Sequence, residues 1–456
     1  MIARTIRYLD ERAGAAPLLK KALRYVFPDH WSFLLGEVAL YCFVVLVATG
    51  VYLTFFFDDS TAPTHYTGPY RPLDGVEMSH AYRSVVDLSL SVKAGLLIRQ
   101  THHWAADVFI VAIVLHVLRI FFTGAFRRPR ELTYYLGVTM LILAVLEGYL
   151  GYSLVDDLLS GMGLAIGYAV ALSIPFVGAN LAALIWGGAF PGAPSFWSRM
   201  YIMHVLVLPI LIGVLLAAHL ALVASRHHTQ FRESPRHTER KVIGLPTFPA
   251  QAPRSIALAL TVAGVLVLLG GLVQINPIWL WGPYHVAEGT NGAQPDWYLG
   301  WLIGALRLVP GFDLVIGSYT LVPNPFWGGA LFPLVVFGFL YLWPTIERRM
   351  TGDRRAHNLL DRPRDNPWRT AIGAGMVTWV FLIFIAGSAD RVFVTFGIHY
   401  VSQIWFYRVA VWVAPIVVAL ITKRICRELV AGERVAAIRK QAEREVATLS
   451  GTGRRD

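Results

Sequence analysis

The sequence predicts an all-α, polytopic membrane protein with eight transmembrane helices. Of its 456 residues, 55% are hydrophobic and only 15% are charged, whereas about 25% of the residues of a soluble domain are charged. Apolar runs of about 20 residues, enough to cross a hydrocarbon core of about 30 Å, recur along the chain. They predict spans at 33–57, 99–122, 133–155, 200–225, 255–280, 330–346, 370–390 and 402–422.

Basic residues are concentrated on one side of these predicted spans. With eight crossings, the segments 1–32, 119–131, 226–254, 347–369 and 423–456 share a side and hold 32 of the 40 Lys and Arg residues. The positive-inside rule therefore predicts that both termini are cytoplasmic. Membrane orientation accounts for the net charge of +11, and we expect no nucleic-acid partner.

Two long segments between spans are predicted to be external. Segment 158–190 is apolar enough for a ninth span, but a crossing there would move the Arg-rich 226–254 loop outside. Its glycines and Pro175 favour paired short helices instead. The 281–328 segment is rich in Trp, Pro and Gly and nearly free of Lys and Arg.

The chain divides into two parts and a tail. Residues 1–250 are predicted to form a four-helix bundle, and residues 251–428 a second four-helix part with the long external loop. The tail, 429–456, is predicted to be an amphipathic helix on the cytoplasmic membrane surface or on a partner. Its apolar stripe consists of Val435, Ile438, Ala442, Val446 and Leu449.

Four histidines in apolar segments predict two haem sites. His102 and His116 lie 14 residues apart, and His204 and His219 lie 15 apart. At 1.5 Å per residue each pair spans roughly 21 Å, nearly on one helix face. Two such helices can hold two stacked haems, each iron bound by one histidine from each helix. His103 would face away from His116, so we interpret it as a polar neighbour and not a ligand.

Glycine repeats the same interval in the companion spans. A porphyrin between helices needs backbone without side chains at its level, which glycine supplies. Arg99 and Arg119 flank the histidines of the second span and can pair with haem propionates or extend to lipid headgroups. The glycine pairs, each 14 residues apart, are Gly36 with Gly50 and Gly137 with Gly151.

These motifs resemble cytochrome b of the quinol:cytochrome c reductase (cytochrome bc) complexes. The 15-residue histidine interval resembles the plastoquinol and Gram-positive branches of the family. An Asp where the family usually has Glu, together with the basic tail, resembles actinobacterial members. The motifs that carry the resemblance are Arg99–His102, His116–Arg119, Gly148–Tyr152, His204 with His219, and Pro295–Tyr298.

The resemblance implies the catalytic subunit of a respiratory complex in the bacterial plasma membrane. Such a subunit oxidises quinol externally, passes electrons through two haem b groups and reduces quinone at the cytoplasmic face, translocating protons. The outer, low-potential haem would be held by His102 and His204, and the inner, high-potential haem by His116 and His219. Expected partners are a Rieske iron–sulfur protein, a cytochrome c or c1-type subunit, membrane lipids, a second copy of the complex and a terminal oxidase in a supercomplex.

The resemblance also implies the quinone-site residues. Asp296 would accept a quinol proton beside Tyr298, with Pro295 and Trp297 lining the external pocket. As an isolated motif, Asp296 could equally be a helix N-cap. The cytoplasmic quinone site has weaker candidates, and these are His30, Ser32 and Arg226.

Some residues depart from the family pattern or lie in unusual places. Val155–Asp156–Asp157 stands where the family has Pro-Trp-Gly, which changes the expected shape of the external pocket. Three acids lie inside predicted spans, and they are Glu37, Asp107 and Glu147. Each is either part of a proton path or a structural polar group, and we slightly favour the structural role.

Two other classes of protein could carry buried histidines. A dihaem anchor of another quinone-linked dehydrogenase needs only four or five spans, which leaves the second four-helix part and the 295–298 motif without a role. A transporter that relays protons through histidines would bind no haem, so a spectrum distinguishes it.

Overall fold

The computed structural model describes residues 8, 10–12, 14, 16–289 and 294–451. Within these residues, eight helices are long and apolar enough to cross a membrane, so the predicted eight-span, all-α fold is confirmed. They are Trp31–Thr54, Gly95–Thr123, Glu131–Ser153, Pro194–Arg226, Thr247–Leu272, Trp327–Thr351, Pro367–Ala386 and Tyr400–Val446.

The α-helical elements are numbered in chain order. Several spans combine an α-helix with a preceding 3-10 or π turn. The helices are α1 Ala16–Leu23, α2 Leu34–Thr54, α3 His80–Leu90, α4 Gly95–Thr123, α5 Glu131–Ser153, α6 Leu158–Leu172, α7 Gly178–Trp186, α8 Pro194–Ile202, α9 Leu208–Arg226, α10 Ala252–Leu272, α11 Gly300–Leu308, α12 Phe332–Thr351, α13 Pro367–Ala386, α14 Ala389–Phe396 and α15 Tyr400–Gly451.

Short two-stranded pairs connect the loops. The strands are β1 Val26–Phe27, β2 Pro63–His65, β3 Glu77–Ser79, β4 Gln230–Phe231, β5 Leu245–Pro246, β6 Leu314–Ile316, β7 Tyr319–Val322 and β8 Leu359–Leu360. β1 pairs with β5, β2 with β3 and β6 with β7, all antiparallel, while β4 and β8 are parallel.

The loops gather at two opposite ends of the bundle. At the end we call the terminal face, β1 joins β5, β4 joins β8, and Arg130 donates to the carbonyl oxygens of Arg226 and His357. At the opposite end, which we call the loop face, Asp157 forms a β-bridge with Pro283 and the Tyr82 hydroxyl donates to the Ile278 carbonyl. Successive connecting segments lie at alternate ends of the bundle, as eight crossings require. Segments 124–130, 227–247 and 352–366 lie at the terminal face, and 55–94, 154–193, 273–289, 294–326 and 387–399 lie at the loop face.

The helices approach closely where small residues face a neighbour. A Cβ on Gly270 of α10 would lie 2.5 Å from Thr101 Oγ1 of α4, and one on Gly304 of α11 would lie 1.7 Å from the Ile383 carbonyl oxygen of α13. In a membrane, association depends on such packing because lipid tails are as apolar as the helix surfaces. These glycines therefore fix α10 against the N-terminal bundle and α11 against α13.

Segment 158–190 forms two short helices at the loop face, as predicted. Asp157 caps α6, accepting from the Ser160 backbone at 3.0 Å, while the Ser160 hydroxyl accepts from the Asp157 backbone N–H. This reciprocal cap satisfies two backbone donors at the start of α6.

Two features differ from the expected elements. The predicted fifth span, 255–280, is wrong at its end because α10 stops at Leu272. Asn276 has a positive φ of 42° and Pro277 follows it, and neither suits a helix interior.

The tail is helical as expected, but it continues the last span as one 52-residue helix. Val435, Ile438 and Val446 are exposed, and the side chain of Leu449 lies outside the described residues.

Candidate functional site

The four histidines form two layers inside the N-terminal bundle. The rings of His102 on α4 and His204 have centroids 6.3 Å apart and lie nearly perpendicular to each other. His116 on α4 and His219 on α9 line one cavity of about 790 Å³ that opens toward the terminal face. The structure therefore brings together the two pairs that the sequence predicts.

The unequal histidine intervals have a structural cause. His204 lies in a π turn, Met203–Val207, which widens the helix between α8 and α9. Pro209 follows at the start of α9, and because proline has no N–H, the normal hydrogen bond to residue 205 is lost. A π turn takes in one extra residue. The 15-residue interval from His204 to His219 thus matches the 14-residue interval from His102 to His116.

Each predicted glycine faces one of these histidines. A Cβ added to Gly36 would lie 3.3 Å from His116 Cε1, and one added to Gly50 would lie 3.3 Å from His102 Cε1. A Cβ added to Gly137 would lie 3.7 Å from His219 Cε1, and one added to Gly151 would lie 2.4 Å from His204 Cε1. Two glycines therefore frame each histidine pair, leaving open the space that a flat macrocycle needs.

Hydrogen bonds orient the histidine rings of the loop-face pair. Thr49 Oγ1 lies 2.9 Å from His102 Nδ1, and Glu147 Oε1 lies 3.0 Å from His204 Nδ1. A ring held through Nδ1 presents Nε2 to a metal. In the described residues, Nδ1 of both His116 and His219 is buried without a partner. Glu147 therefore contacts His204, and its structural role stays a prediction.

The two flanking arginines carry buried nitrogens with no partner among the described residues. These atoms are Nε of Arg99 and both Nε and Nη2 of Arg119. Arg99 Nη2 donates to the Asn276 carbonyl at 2.9 Å, and the Arg119 guanidinium lies 4.1 Å above the ring of Phe33. Because unpaired buried donors are costly, the remaining nitrogens fit the propionate groups of a haem.

Asp296 lies in a polar cluster at the loop face. Its Oδ1 is 2.8 Å from His103 Nε2, and its Oδ2 accepts from the Tyr298 hydroxyl at 3.0 Å. Burial and the Asp296 carboxylate raise the pKa of Tyr298, so the phenol keeps its proton and donates. The same Tyr298 hydroxyl packs on Gly148, where a Cβ would lie 2.7 Å from it. Asp107 lies within electrostatic range of both His103 and Asp296.

The alternative role of Asp296 as an N-cap is not supported. Asp296 precedes the 3-10 turn Trp297–Leu299, but its side chain makes no capping hydrogen bond. The loop is instead anchored through Gln294, which donates to both Asp390 oxygens at 2.6 and 2.8 Å. Asp390 also pairs with Arg307 of α11 at 2.8 Å. Pro295 and Trp297 continue this anchored loop.

The terminal-face cavity holds most of the predicted inner-site residues. His30, Arg226 and Arg119 line it, as does Glu37, which accepts from the Tyr41 hydroxyl. Ser32 does not line the cavity. Its buried hydroxyl lies 2.8 Å from His30 Nδ1, so it orients the His30 ring.

Sequence reasoning missed several residues of these sites. His103 was interpreted only as a neighbour of His102, although it contacts Asp296. In the terminal-face cavity, Arg130 and His228 were not singled out, although two adjacent histidines directly after a span were a usable signal. Burial and then Arg119 and Arg130 lower the pKa of His228 to about 4, which keeps the ring neutral beside Tyr25.

The Val155–Asp156–Asp157 departure is buried near the loop face. Asp157 is fully buried and caps α6 with one oxygen. Burial is the main cause that raises the pKa of Asp156 to about 7. These acids therefore shape the segment between α5 and α6 instead of extending into solvent.

Eight spans, paired histidines framed by glycines, and unpaired arginines define a membrane cytochrome of the b type. A sequence model of the family described as cytochrome b (N-terminal)/b6/petB matches residues 107–283. The cytochrome bc1 complex cytochrome b subunit of Corynebacterium diphtheriae is 46% identical over 93% of this chain and 78% of its own length. The corresponding subunit of Mycobacterium tuberculosis is also 46% identical, over 95% of this chain and 78% of its own.

The chain belongs to the cytochrome b family, among the cytochrome b subunits of bc1 complexes. The Streptomyces coelicolor subunit is 44% identical over 93% of this chain and 77% of its own. A solved chain titled "Hyperthermophilic respiratory Complex III" shares the fold, with a TM-score of 0.67 at 18% identity over 92% of this chain and 99% of that one. The predicted resemblance to actinobacterial cytochrome b is confirmed.

Proposed function

We propose that this chain is the catalytic subunit of a quinol:cytochrome c reductase that oxidises quinol at the loop face and reduces quinone at the terminal face. The observation that carries the proposal is the pair of histidine layers, each framed by two glycines, between the Asp296 cluster and the terminal-face cavity. The activity would couple this electron transfer to proton translocation.

Two haem b groups fit the two layers. His102 and His204 would hold the low-potential group with Arg99 on its propionates, and His116 and His219 would hold the high-potential group with Arg119. The chemistry that they supply is reversible one-electron transfer at a potential set by their surroundings.

Quinol and quinone would contact different polar groups at the two faces. At the loop face, the Asp296 carboxylate would accept a proton from a quinol hydroxyl, while Tyr298 and His103 hold it in place through its two oxygens. At the terminal face, His30 and Arg226 line the cavity and would bind quinone oxygens.

The membrane orientation and partners follow from the same proposal. The Arg-rich terminal face would be cytoplasmic in a bacterial plasma membrane, so both termini would be cytoplasmic. The loop face would receive a Rieske iron–sulfur protein and a cytochrome c or c1-type subunit. The complex would be a homodimer and would associate with a terminal oxidase.

Purification of the native complex tests this function. We expect b-type haem, a Rieske-type iron–sulfur subunit and a c-type haem subunit to co-purify, with quinol-dependent reduction of a c-type cytochrome. Co-purification of an unrelated dehydrogenase, with no Rieske subunit, would instead support a dihaem anchor.

A further inference from the structure

The two histidine layers differ in the groups that face their ring nitrogens. At the loop face, His204 Nδ1 lies 3.0 Å from Glu147 Oε1 and 3.2 Å from the Glu147 backbone carbonyl oxygen. In the described part of the chain, neither His116 nor His219 pairs with an acid, and Nδ1 of both rings is buried without a hydrogen-bond partner. The loop-face layer therefore has a carboxylate that the terminal-face layer lacks.

Helix α5 places this carboxylate directly against the ring of His204. Glu147 and Gly151 are one turn apart on α5, so they share a helix face, and a Cβ on Gly151 would lie only 2.4 Å from His204 Cε1. The side chains of His204 and Glu147 are 17% and 19% exposed, and a pair so largely buried is little screened by water and salt. Glu147 Oε2 is buried and has no hydrogen-bond partner among the described residues, so His204 is the group that this carboxylate contacts.

Other charges near the two layers do not produce the same difference. Each layer has one arginine, Arg99 at the loop face and Arg119 at the terminal face. The acid on the terminal-face side, Glu37, lines the cavity there, but its carboxylate is already occupied. Its Oε2 accepts from the Tyr41 hydroxyl at 3.1 Å and its Oε1 accepts from Gln251 Nε2 at 3.3 Å. Glu147 is thus the acid that distinguishes the layers.

A carboxylate behind a metal-binding histidine changes the electron affinity of the metal. When Nε2 binds iron, Nδ1–H is the remaining donor of the ring, and a carboxylate that accepts from it makes the ring a more basic ligand. A more basic ligand and a nearby negative charge both stabilise ferric over ferrous iron, which lowers the reduction potential. The Thr49 hydroxyl that faces His102 is neutral and is therefore a weaker acceptor.

We propose that Glu147 is a positioning residue that lowers the reduction potential of the haem held by His102 and His204. This role rests on the proposed function, because it requires a haem in each layer. It gives that function a cause within the chain for the unequal potentials of the two haems. An electron that moves from the loop-face layer to the terminal-face layer then moves toward the higher potential.

The test is a redox titration of the haem α-band in the purified complex, with three variants. Glu147→Gln keeps the shape and an acceptor oxygen but removes the charge, whereas Glu147→Asp keeps the charge on a shorter side chain. Glu131→Gln is the matched control, because it removes the same charge from the same helix 16 residues earlier, about 24 Å away along the axis. Pyridine haemochrome assay measures haem b per chain in each variant.

We expect Glu147→Gln to raise the reduction equilibrium constant of the lower-potential component about tenfold, which is about 59 mV for one electron. The higher-potential component should not move. Glu147→Asp should recover at least half of the shift, and Glu131→Gln should titrate like the parent. All three variants should keep two haems per chain.

An unchanged lower-potential component in Glu147→Gln with both haems present would overturn the proposal. So would an equal rise of both components, which would indicate a general change in the field of the bundle. Loss of the loop-face haem from both Glu147 variants would show that this residue serves assembly and not the potential. If the parent itself titrated as one component, the two-haem arrangement of the proposed function would be wrong, and the role of Glu147 with it.

Discussion

Replacing Asp296 with asparagine should slow quinol-driven reduction of the acceptor about a hundredfold, because general-base catalysis contributes about that much. Asparagine keeps the shape and can still accept from Tyr298, but it cannot take a proton. Both haems should assemble normally, and the pH dependence of turnover should change. Stopped-flow reduction of the c-type acceptor by quinol measures the effect.

An exposed carboxylate of the same face provides the control for Asp296. Asp74 lies at the loop face, 3.5 Å from Arg71, and Asp74→Asn removes the same charge away from the cluster. Its turnover should match that of the parent. If Asp296→Asn also matched the parent across pH, Asp296 would not be the proton acceptor.

Replacing Gly151 with alanine should empty the loop-face haem site. The added Cβ would lie 2.4 Å from His204 Cε1, and a ring fixed to iron cannot move away. Overpacking of this kind costs about 1–3 kcal/mol, which weakens haem binding from about fivefold to about a hundredfold. Pyridine haemochrome assay of the purified complex measures haem b per chain, and we expect about half the parental content.

Gly137 offers a matched control in the same helix. Its added Cβ would lie 3.7 Å from His219 Cε1, an ordinary contact distance, so Gly137→Ala should keep both haems. Equal haem loss in the two variants would point to a general effect of alanine on α5. Full haem content in Gly151→Ala would show that this glycine does not frame a haem.

Features that are marked by a regular pattern of one type of residue were predictable from the sequence. Apolar runs and basic loops gave the eight spans, and a single helical period related His102 to His116 and Gly36 to Gly50. The same reasoning failed where backbone geometry deviates from that period. In a regular helix the 15-residue interval turns His219 about 60° away from His204, and the π turn that offsets this rotation is visible only in three dimensions.

Contacts between distant segments were beyond sequence reasoning. The pairing of His103 with Asp296 joins residues 193 positions apart, and the Gln294–Asp390 contact joins residues 96 apart. Neither contact is marked by a pattern in the local sequence that could predict it. Ser32 was expected to face quinone, but its hydroxyl contacts His30. The end of α10 was misplaced because the residues after it are apolar although Asn276 and Pro277 interrupt the helix.

Redox titration of the purified complex measures whether separate histidine pairs hold two haem b groups. The α-band absorbance of the purified complex is titrated for the parent, for His204→Leu and for His219→Leu. We expect two one-electron components in the parent, loss of the lower-potential component in His204→Leu and loss of the higher-potential component in His219→Leu. A single component in the parent, or loss of the same component in both variants, would show that the two histidine pairs do not hold separate haems.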